Sequence, residues 1–439
     1  MKRLFRFPAY FFIISILLVS ISCSSTKKLS KDFDDTFNKA DAFKQGFSGL
    51  AVFDPVKNKM IYERYANKYF TPASNTKLLT FYAGLKILGD SIPALKYVAK
   101  KDSLIFWGTG DPSFLNPDVP ESMVYQFLKN SKEKLYYLPP VFTEEHFGPG
   151  WAWDDYNSYY SVERSAFPIY GNYVSFNFIP GLDIPKIFPS FFKDNLVIKP
   201  DASPRIIRDT ESNIFRYKTF IGNKGFSQVV PFKYSPELFV KLLADTLKKP
   251  VEIIRHRTEG FSDIKTLYSL PSDSLYKTML QQSDNFIAEQ ILFMVSGKIS
   301  DSLKTDLAID HIKENFLKDL PDEPFWVDGS GLSRYNLVTP RSTIKLLEKI
   351  IQEVPQKRLF KLMATGGKSG TIKNSYVADE PYIFAKTGTL SNNHNLSGYL
   401  KTRSGKVLIF SFMNNNYTVP TSEIKKQMEL ILRKIYNKY

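Results

Sequence analysis

The chain changes its hydrophobic rhythm several times, and each change limits the folds open to it. Leu78, Leu79, Tyr82, Leu85, Ile87 and Leu88 crowd one side at helical spacing and Gly89 ends the run, which predicts a buried helix. Ahead of it, "SGLAVFDPVKNKMIYERYA" holds two strand-like runs around a polar turn. From about 98 to 261 the texture differs: short apolar runs, many Pro and Gly, and no long helical period, as expected of β-rich inserted material. Helical patterns return from 274, in "SLYKTMLQQSDNFIAEQILFMVSG" and "TPRSTIKLLEKIIQEV". "PYIFAKTGTL", "HNLSGYLKTR" and "KVLIFSFMNN" then read as three strands, the last two joined through Ser404-Gly405. A final helix puts Ile424, Met428, Ile431 and Ile435 on one face, a stripe expected to pack on the sheet and not on a membrane. The fold class is α/β (α+β): helices on an antiparallel sheet, in a domain split by a β-rich insertion.

At 439 residues the chain exceeds what one core usually serves, so two or three packed units are expected. With 43% hydrophobic and 23% charged residues it is not generally disordered. Lys2, Arg3 and Arg6 precede the apolar run "FPAYFFIISILLVSIS", which reads as an export signal too short to span a membrane comfortably. It ends at Cys23, the only cysteine, so no disulfide can form within the chain. The segment resembles a bacterial lipoprotein signal, with Ser20 where Leu or Val is usual, which implies a signal peptide at 1–22 and acylation of Cys23. Residues 23–45 read as a polar tether. The net charge of +15, or +12 without the three signal cations, is spread out, with no basic block interleaved with aromatics. In an exported protein that favours anionic lipid or cell-wall polymer over nucleic acid.

Chemistry is carried by three short motifs. The first is S-x-x-K at Ser74-Asn75-Thr76-Lys77; the same spacing recurs at Ser131, Ser190, Ser262, Ser274, Ser342 and Ser422, so its surroundings must decide. Ser74 begins the predicted buried helix, where backbone N–H groups and the helix dipole favour negative charge on oxygen. Lys77 follows one turn later on the same face and can serve as base when neutral, a state that burial beside another cation, Lys386, would favour. The second is Ser283-Asp284-Asn285: a hydroxyl to relay a proton to the leaving amine, and an amide to hold the lysine and a substrate carbonyl. Ser175-Phe176-Asn177 and Ser391-Asn392-Asn393 also fit S-x-N. The third is Lys386-Thr387-Gly388-Thr389, preferred to Lys368-Ser369-Gly370-Thr371 because it follows the apolar β run "PYIF" whereas the rival has no strand before it. On a sheet edge its lysine and hydroxyls can bind a carboxylate, a backbone N–H can join that of Ser74 in an oxyanion hole, and Gly388 lets substrate backbone approach.

S-x-x-K, S-D-N and K-T-G in this order are the signature of penicillin-binding proteins and class A β-lactamases. The chain resembles, more narrowly, the low-molecular-mass DD-carboxypeptidase/endopeptidases of peptidase family S13, the penicillin-binding protein 4 type. Longer strings carry the resemblance across nearly all the mature chain: "GTGDPSF", "GPGWAWDDYNSYYS", "SDNFIAEQ", "DGSGLSRYNLVTP" and "AKTGTLSN". It implies a penicillin-binding protein/serine β-lactamase-like transpeptidase domain at 46–97 and 262–439, with inserted β-rich material at 98–261. The gap of 209 residues from Ser74 to Ser283 is far longer than in class A β-lactamases, and no glutamate stands out as a deacylation base.

The resemblance also implies the reaction. Ser74 attacks the penultimate D-alanine carbonyl of a peptidoglycan stem peptide, an acyl-enzyme forms, and water releases it. β-Lactams would acylate the same serine, and the resemblance extends the expected cleavage to cross-links to a diamino acid. Catalytic roles fall to Ser74, Lys77, Ser283, Asn285 and Lys386, and substrate binding to Thr387, Gly388 and Thr389. Asp154 and Asp155 are candidates for the free amine of the diamino acid, against a structural turn role. No cofactor is implied, and His146, His256, His311 and His394 lack metal-ligand spacing. Trp151 and Trp153 read as core or pocket wall, and "DGSGLSRYN" as a loop near the site. Two alternatives stay open: a β-lactamase-like hydrolase, and a slow or inactive wall-binding protein.

Overall fold

Strands from both ends of the chain build one central sheet. The structure is a computed structural model and describes residues 31–199, 205–218, 224–255 and 261–439. The expected signal peptide, Cys23, the start of the tether and His256 lie outside the described residues. Six antiparallel strands stand in the order Ala364–Thr365, Ile383–Leu390, Asn393–Lys401, Val407–Asn415, Phe47–Asp54 and Lys59–Arg64.

Side chains alternate across a strand, so the register sorts the two faces. Lys386 pairs with Ser397 and Ser397 with Ser411, and this face, with Tyr399, Ile409 and Met413, meets a helical layer. That layer includes the helices Lys77–Ile87, Asn285–Ile299 and Pro340–Glu353. The other face, with Leu396, Phe410 and Phe412, is covered by the helix Thr421–Lys438, whose Ile424, Met428, Ile431 and Ile435 are buried as the stripe requires. The helix Lys77–Ile87 is buried all round from Lys77 to Gly84, more than the one-sided pattern suggests. The helical run after 272 breaks at Ser283, where φ is 64°. Asp284 caps the second helix by accepting the Ile287 N–H at 2.8 Å.

Two expectations need correction. Within the expected tether 23–45, residues 31–39 are helical and Asp41–Phe43 forms a 3-10 turn. Phe33, Phe37 and Phe43 are buried against Tyr62 and Phe412, and apolar burial of this kind outweighs the polar composition that suggested a tether. The segment between the two halves of the sheet is not only β material. It contains helices Met123–Asn130 and Pro236–Leu247. The second has a legible start, Ser235 capping Leu238 and Pro236 in the first turn, followed by Phe239, Leu242, Leu243 and Leu247 buried on one side.

These helices share a separate core with a five-stranded mixed sheet, ordered Val251–Ile253, Lys134–Tyr137, Ser103–Gly108, Ser91–Lys100 and Lys265–Pro271. The strands that lead in and out, Ser91–Lys100 and Lys265–Pro271, pair with each other. We therefore propose 91 and 271, not 98 and 261, as the limits of this unit.

The packing of 31–43 makes a measurable claim. Phe37→Ala is expected to cost about 3–5 kcal/mol in urea unfolding of the soluble chain, the usual loss for a buried phenylalanine. An unchanged midpoint would return this segment to a tether.

Candidate active site

The turn Ala73–Thr76 runs directly into the helix Lys77–Ile87 and presents Ser74 at its head. Ala73 has a φ of 47°, an uncommon conformation for a residue with a side chain, and its neighbours hold it there. Three asparagines clamp the turn to the sheet. Asn75 Nδ2 donates to the Lys386 carbonyl at 3.0 Å, Asn395 Nδ2 to the Thr71 carbonyl at 2.9 Å, and the Thr71 N–H donates to Asn415 Oδ1 at 2.6 Å. A Cβ on Gly388 would lie 2.4 Å from the Pro72 carbonyl oxygen, so this glycine lets the protein's own turn approach the strand. That differs from the expected role of admitting substrate backbone. From the opposite side, a Cβ on Gly331 would lie 1.9 Å from the Ala73 carbonyl oxygen.

Lys77 is fully buried and has three acceptors: Ser74 Oγ at 2.9 Å, Asn285 Oδ1 at 2.6 Å and the Ser330 carbonyl at 2.7 Å. An ammonium fills all three with its three N–H groups. After losing one proton, the amine can keep Asn285 and Ser330 as acceptors and turn its lone pair to the Ser74 hydroxyl. Burial brings the Lys77 pKa down to about 8, against the pull of Asp328, Asp284 and Glu289. Of the two causes that the sequence suggested, burial and a neighbouring cation, burial is the one that lowers it. Lys386 shows the cation's influence instead: burial, then Lys77, hold it well below the usual lysine range.

Lys386 is also fully buried, and its Nζ donates to Ser283 Oγ at 2.8 Å and to the Thr387 carbonyl at 2.7 Å. Ser74, Lys77 and Asn285 thus form one hydrogen-bonded group and Ser283 with Lys386 a second, close enough for the charge of Lys77 to act on Lys386; the five residues come from three separate stretches of chain. Asn285 Nδ2 donates to the Tyr160 carbonyl at 2.9 Å, and the Tyr160 hydroxyl to Asp155 Oδ1 at 2.8 Å. Asp155 is therefore tied to the rim of the cluster, while Asp154 is exposed on the same short turn, Trp153–Asn157.

Several contributors escaped the sequence reading. Ser330, in "DGSGLSRYN", supplies a carbonyl to Lys77, and its N–H donates to Glu289 Oε1 at 2.8 Å. The loop is held by Asp328, which accepts from the N–H groups of Gly331 and Ser333 and from the Trp151 indole at 3.0 Å. The rival motif is not remote either. A two-residue strand, Ala364–Thr365, does precede it, and Thr371 Oγ1 lies 2.7 Å from Thr387 Oγ1. His394 also bonds within the site, its Nδ1 lying 2.8 Å from Thr389 Oγ1. Backbone carbonyls and cross-strand partners leave no motif, although the proximity of the Gly/Ser-rich loop was readable.

A serine hydroxyl against a buried lysine that can lose its proton, with a second serine on a second buried lysine, is the equipment of a serine acyl-transfer enzyme without histidine. The mixed fold, with an antiparallel sheet between helices, is the one such enzymes use. The chain belongs to the D-Ala-D-Ala carboxypeptidase 3 (S13) family, whose family model matches residues 29–435. It is similar to the D-alanyl-D-alanine carboxypeptidase DacB of Haemophilus influenzae, 26% identical over 431 residues that cover 87% of this chain and 88% of that one. The D-alanyl-D-alanine carboxypeptidase of Actinomadura sp. is 23% identical over 463 residues, covering 92% of this chain and 84% of its own. The crystal structure of penicillin binding protein 4 from Haemophilus influenzae has the same fold, with a TM-score of 0.75 at 20% identity over 92% of this chain and 99% of that one.

The contact at Gly388 yields a test. Gly388→Ala is expected to lower the melting temperature, because backbone must give way, and to slow acylation of the folded protein by benzylpenicillin about a hundredfold, since a small misplacement of the nucleophile has that effect. Near-normal acylation would show that the turn does not need this approach.

Proposed function

We propose that Ser74 is the nucleophile of a D-Ala-D-Ala carboxypeptidase acting on peptidoglycan stem peptides. The observation that carries this reading is the cluster of two buried lysines, each bonded to its own serine. Neutral Lys77 takes the Ser74 proton as Oγ bonds to the penultimate D-alanine carbonyl carbon. The negative charge on that carbonyl oxygen is met by backbone N–H groups of Ser74 and of the K-T-G-T strand. The C–N bond to the terminal D-alanine then breaks as Lys77 gives up the proton it took from Ser74, which passes through the Ser283 hydroxyl, held by Lys386, to the leaving nitrogen. Neutral Lys77 next takes a proton from water as the water oxygen bonds to the acyl carbon; the bond to Ser74 Oγ breaks, and Lys77 returns that proton to Oγ.

The outer edge of the strand Ile383–Leu390 has a strand partner only at Phe384 and Ala385 among the described residues, and beyond the buried Lys386–Gly388 its exposed Thr389 is where we place the end of an extended peptide. Thr387 and Thr389 offer hydroxyls for the terminal carboxylate there. Asp154 and Asp155, at the rim, suit the free amine of a diamino acid, and with it endopeptidase cleavage of cross-links. β-Lactams, which mimic the D-Ala-D-Ala end, are the expected covalent inhibitors. Export with acylation of Cys23 would hold the enzyme at a membrane facing the wall. Among the described residues no helix is long and apolar enough to cross one.

Release of D-alanine from a stem pentapeptide tests the reading. The wild type is expected to release one D-alanine per peptide, and Ser74→Ala to lose at least about a thousandfold in rate, as when a covalent nucleophile is removed. Undiminished release by Ser74→Ala would refute the assignment.

A further inference from the structure

The strand that carries Lys386 has a second hydroxyl whose direction is set from outside the three motifs. Thr389 and His394 stand directly opposite each other on adjacent antiparallel strands, with Thr389 Oγ1 at 2.8 Å from His394 Nδ1. Thr389 is exposed, whereas His394 is only 3% exposed. The histidine backbone is fixed as well, its carbonyl accepting from Asn414 Nδ2 at 3.1 Å. Burial, with a lesser push from Lys425, brings the imidazole pKa down to about 3, so the ring is neutral and has one N–H.

The tautomer matters because a hydroxyl has one proton to give. If Nδ1 accepted that proton, Thr389 would turn only lone pairs toward a substrate carboxylate. If Nδ1 carries the ring hydrogen, it donates to Thr389 Oγ1 and leaves the threonine proton free to donate outward. An anionic ligand requires the second arrangement. Thr387 has a different neighbour, Thr371, so only Thr389 depends on an imidazole.

We propose that His394 is a positioning residue for carboxylate recognition: its Nδ1–H donates to Thr389 Oγ1 and fixes that side chain so that its O–H donates to the C-terminal carboxylate of the substrate. The inference rests on the carboxypeptidase reading above. It assigns part of the preference for a free C-terminus to a residue that touches no substrate.

The test compares a stem peptide ending in D-Ala-D-Ala with its C-terminal amide, on wild type, His394→Leu, His394→Asn, Thr389→Val and the His394→Leu/Thr389→Val double variant. In His394→Leu, kcat/KM for the carboxylate peptide is expected to fall about tenfold, the scale of one hydrogen bond to a charged group, and that for the amide peptide, whose terminal carbonyl is a neutral acceptor, by less, so that the preference for carboxylate shrinks. His394→Asn, whose amide nitrogen can stand in for Nδ1, should recover most of that loss. The double variant should be no worse than Thr389→Val, because both changes remove the same contact.

A wild type that cleaves neither peptide would overturn the carboxypeptidase reading and this inference with it. A wild type that cleaves the carboxylate peptide, beside a folded His394→Leu with the same preference for carboxylate over amide, would overturn the inference alone. If His394→Leu does not fold, 15N spectra of wild-type His394 decide: a protonated Nδ1 supports the proposal, and an unprotonated Nδ1 overturns it.

Discussion

Two lysine side chains withdrawn from water within one cluster set the terms for the rest of this site. A buried ammonium keeps its charge only if acceptors replace its hydration, and a second cation nearby makes full charge on both harder to sustain. Lys77 has three acceptors, so its protonated form is tolerated, but only to about pH 8. Lys77 is poised to hold and release a proton near neutrality, and its charge adds to burial in holding Lys386 well below the usual lysine range. A histidine base is unnecessary because the fold has moved a stronger base into the working range.

That poise depends on elements far apart in sequence. The turn with Ser74, the break at Ser283 and the strand with Lys386 come from three regions, and they meet because the helical layer and the central sheet share one packed face. Asparagine amides then tie the turn to the sheet, and Gly388 and Gly331 remove the side chains that would hold it away. The uncommon backbone at Ala73 is the local cost of this placement, sustained by contacts on both sides. On the far side of Lys77, Glu289 and Asp328 fix the loop whose Ser330 carbonyl accepts from the amine. Burial and Asp328 push the Glu289 carboxyl up to about 7 while Arg164 pulls it down, so these supporting charges are balanced inside the protein.

Much of this was legible in the chain. The apolar runs after 382 read as three strands, and the stripe Ile424, Met428, Ile431 and Ile435 as a helix that packs on the sheet, because both patterns report which side meets apolar neighbours. The motif order placed Ser74, Lys77, Ser283, Asn285 and Lys386 on elements that do come together. The hidden parts share a cause: their role comes from tertiary contact and not from local pattern. Phe33, Phe37 and Phe43 lie among charges and look solvated until Tyr62 and Phe412 are brought to them. The helix Pro236–Leu247 is the exception: its cap and apolar stripe are local patterns, passed over among the Pro- and Gly-rich stretches around it. His394 gains importance only from the strand register that sets it beside Thr389, and Thr371 from the 3-10 turn Gly370–Ile372 that brings it to Thr387.

The pH dependence of benzylpenicillin acylation, followed by intact mass with the adduct mapped to a peptide, tests the account most directly. It predicts one adduct, on Ser74, with a second-order rate that rises with pH through an apparent pKa of about 8, because deprotonated Lys77 is the base. An adduct elsewhere, or a rate on Ser74 that is flat across pH 6 to 10, would contradict it.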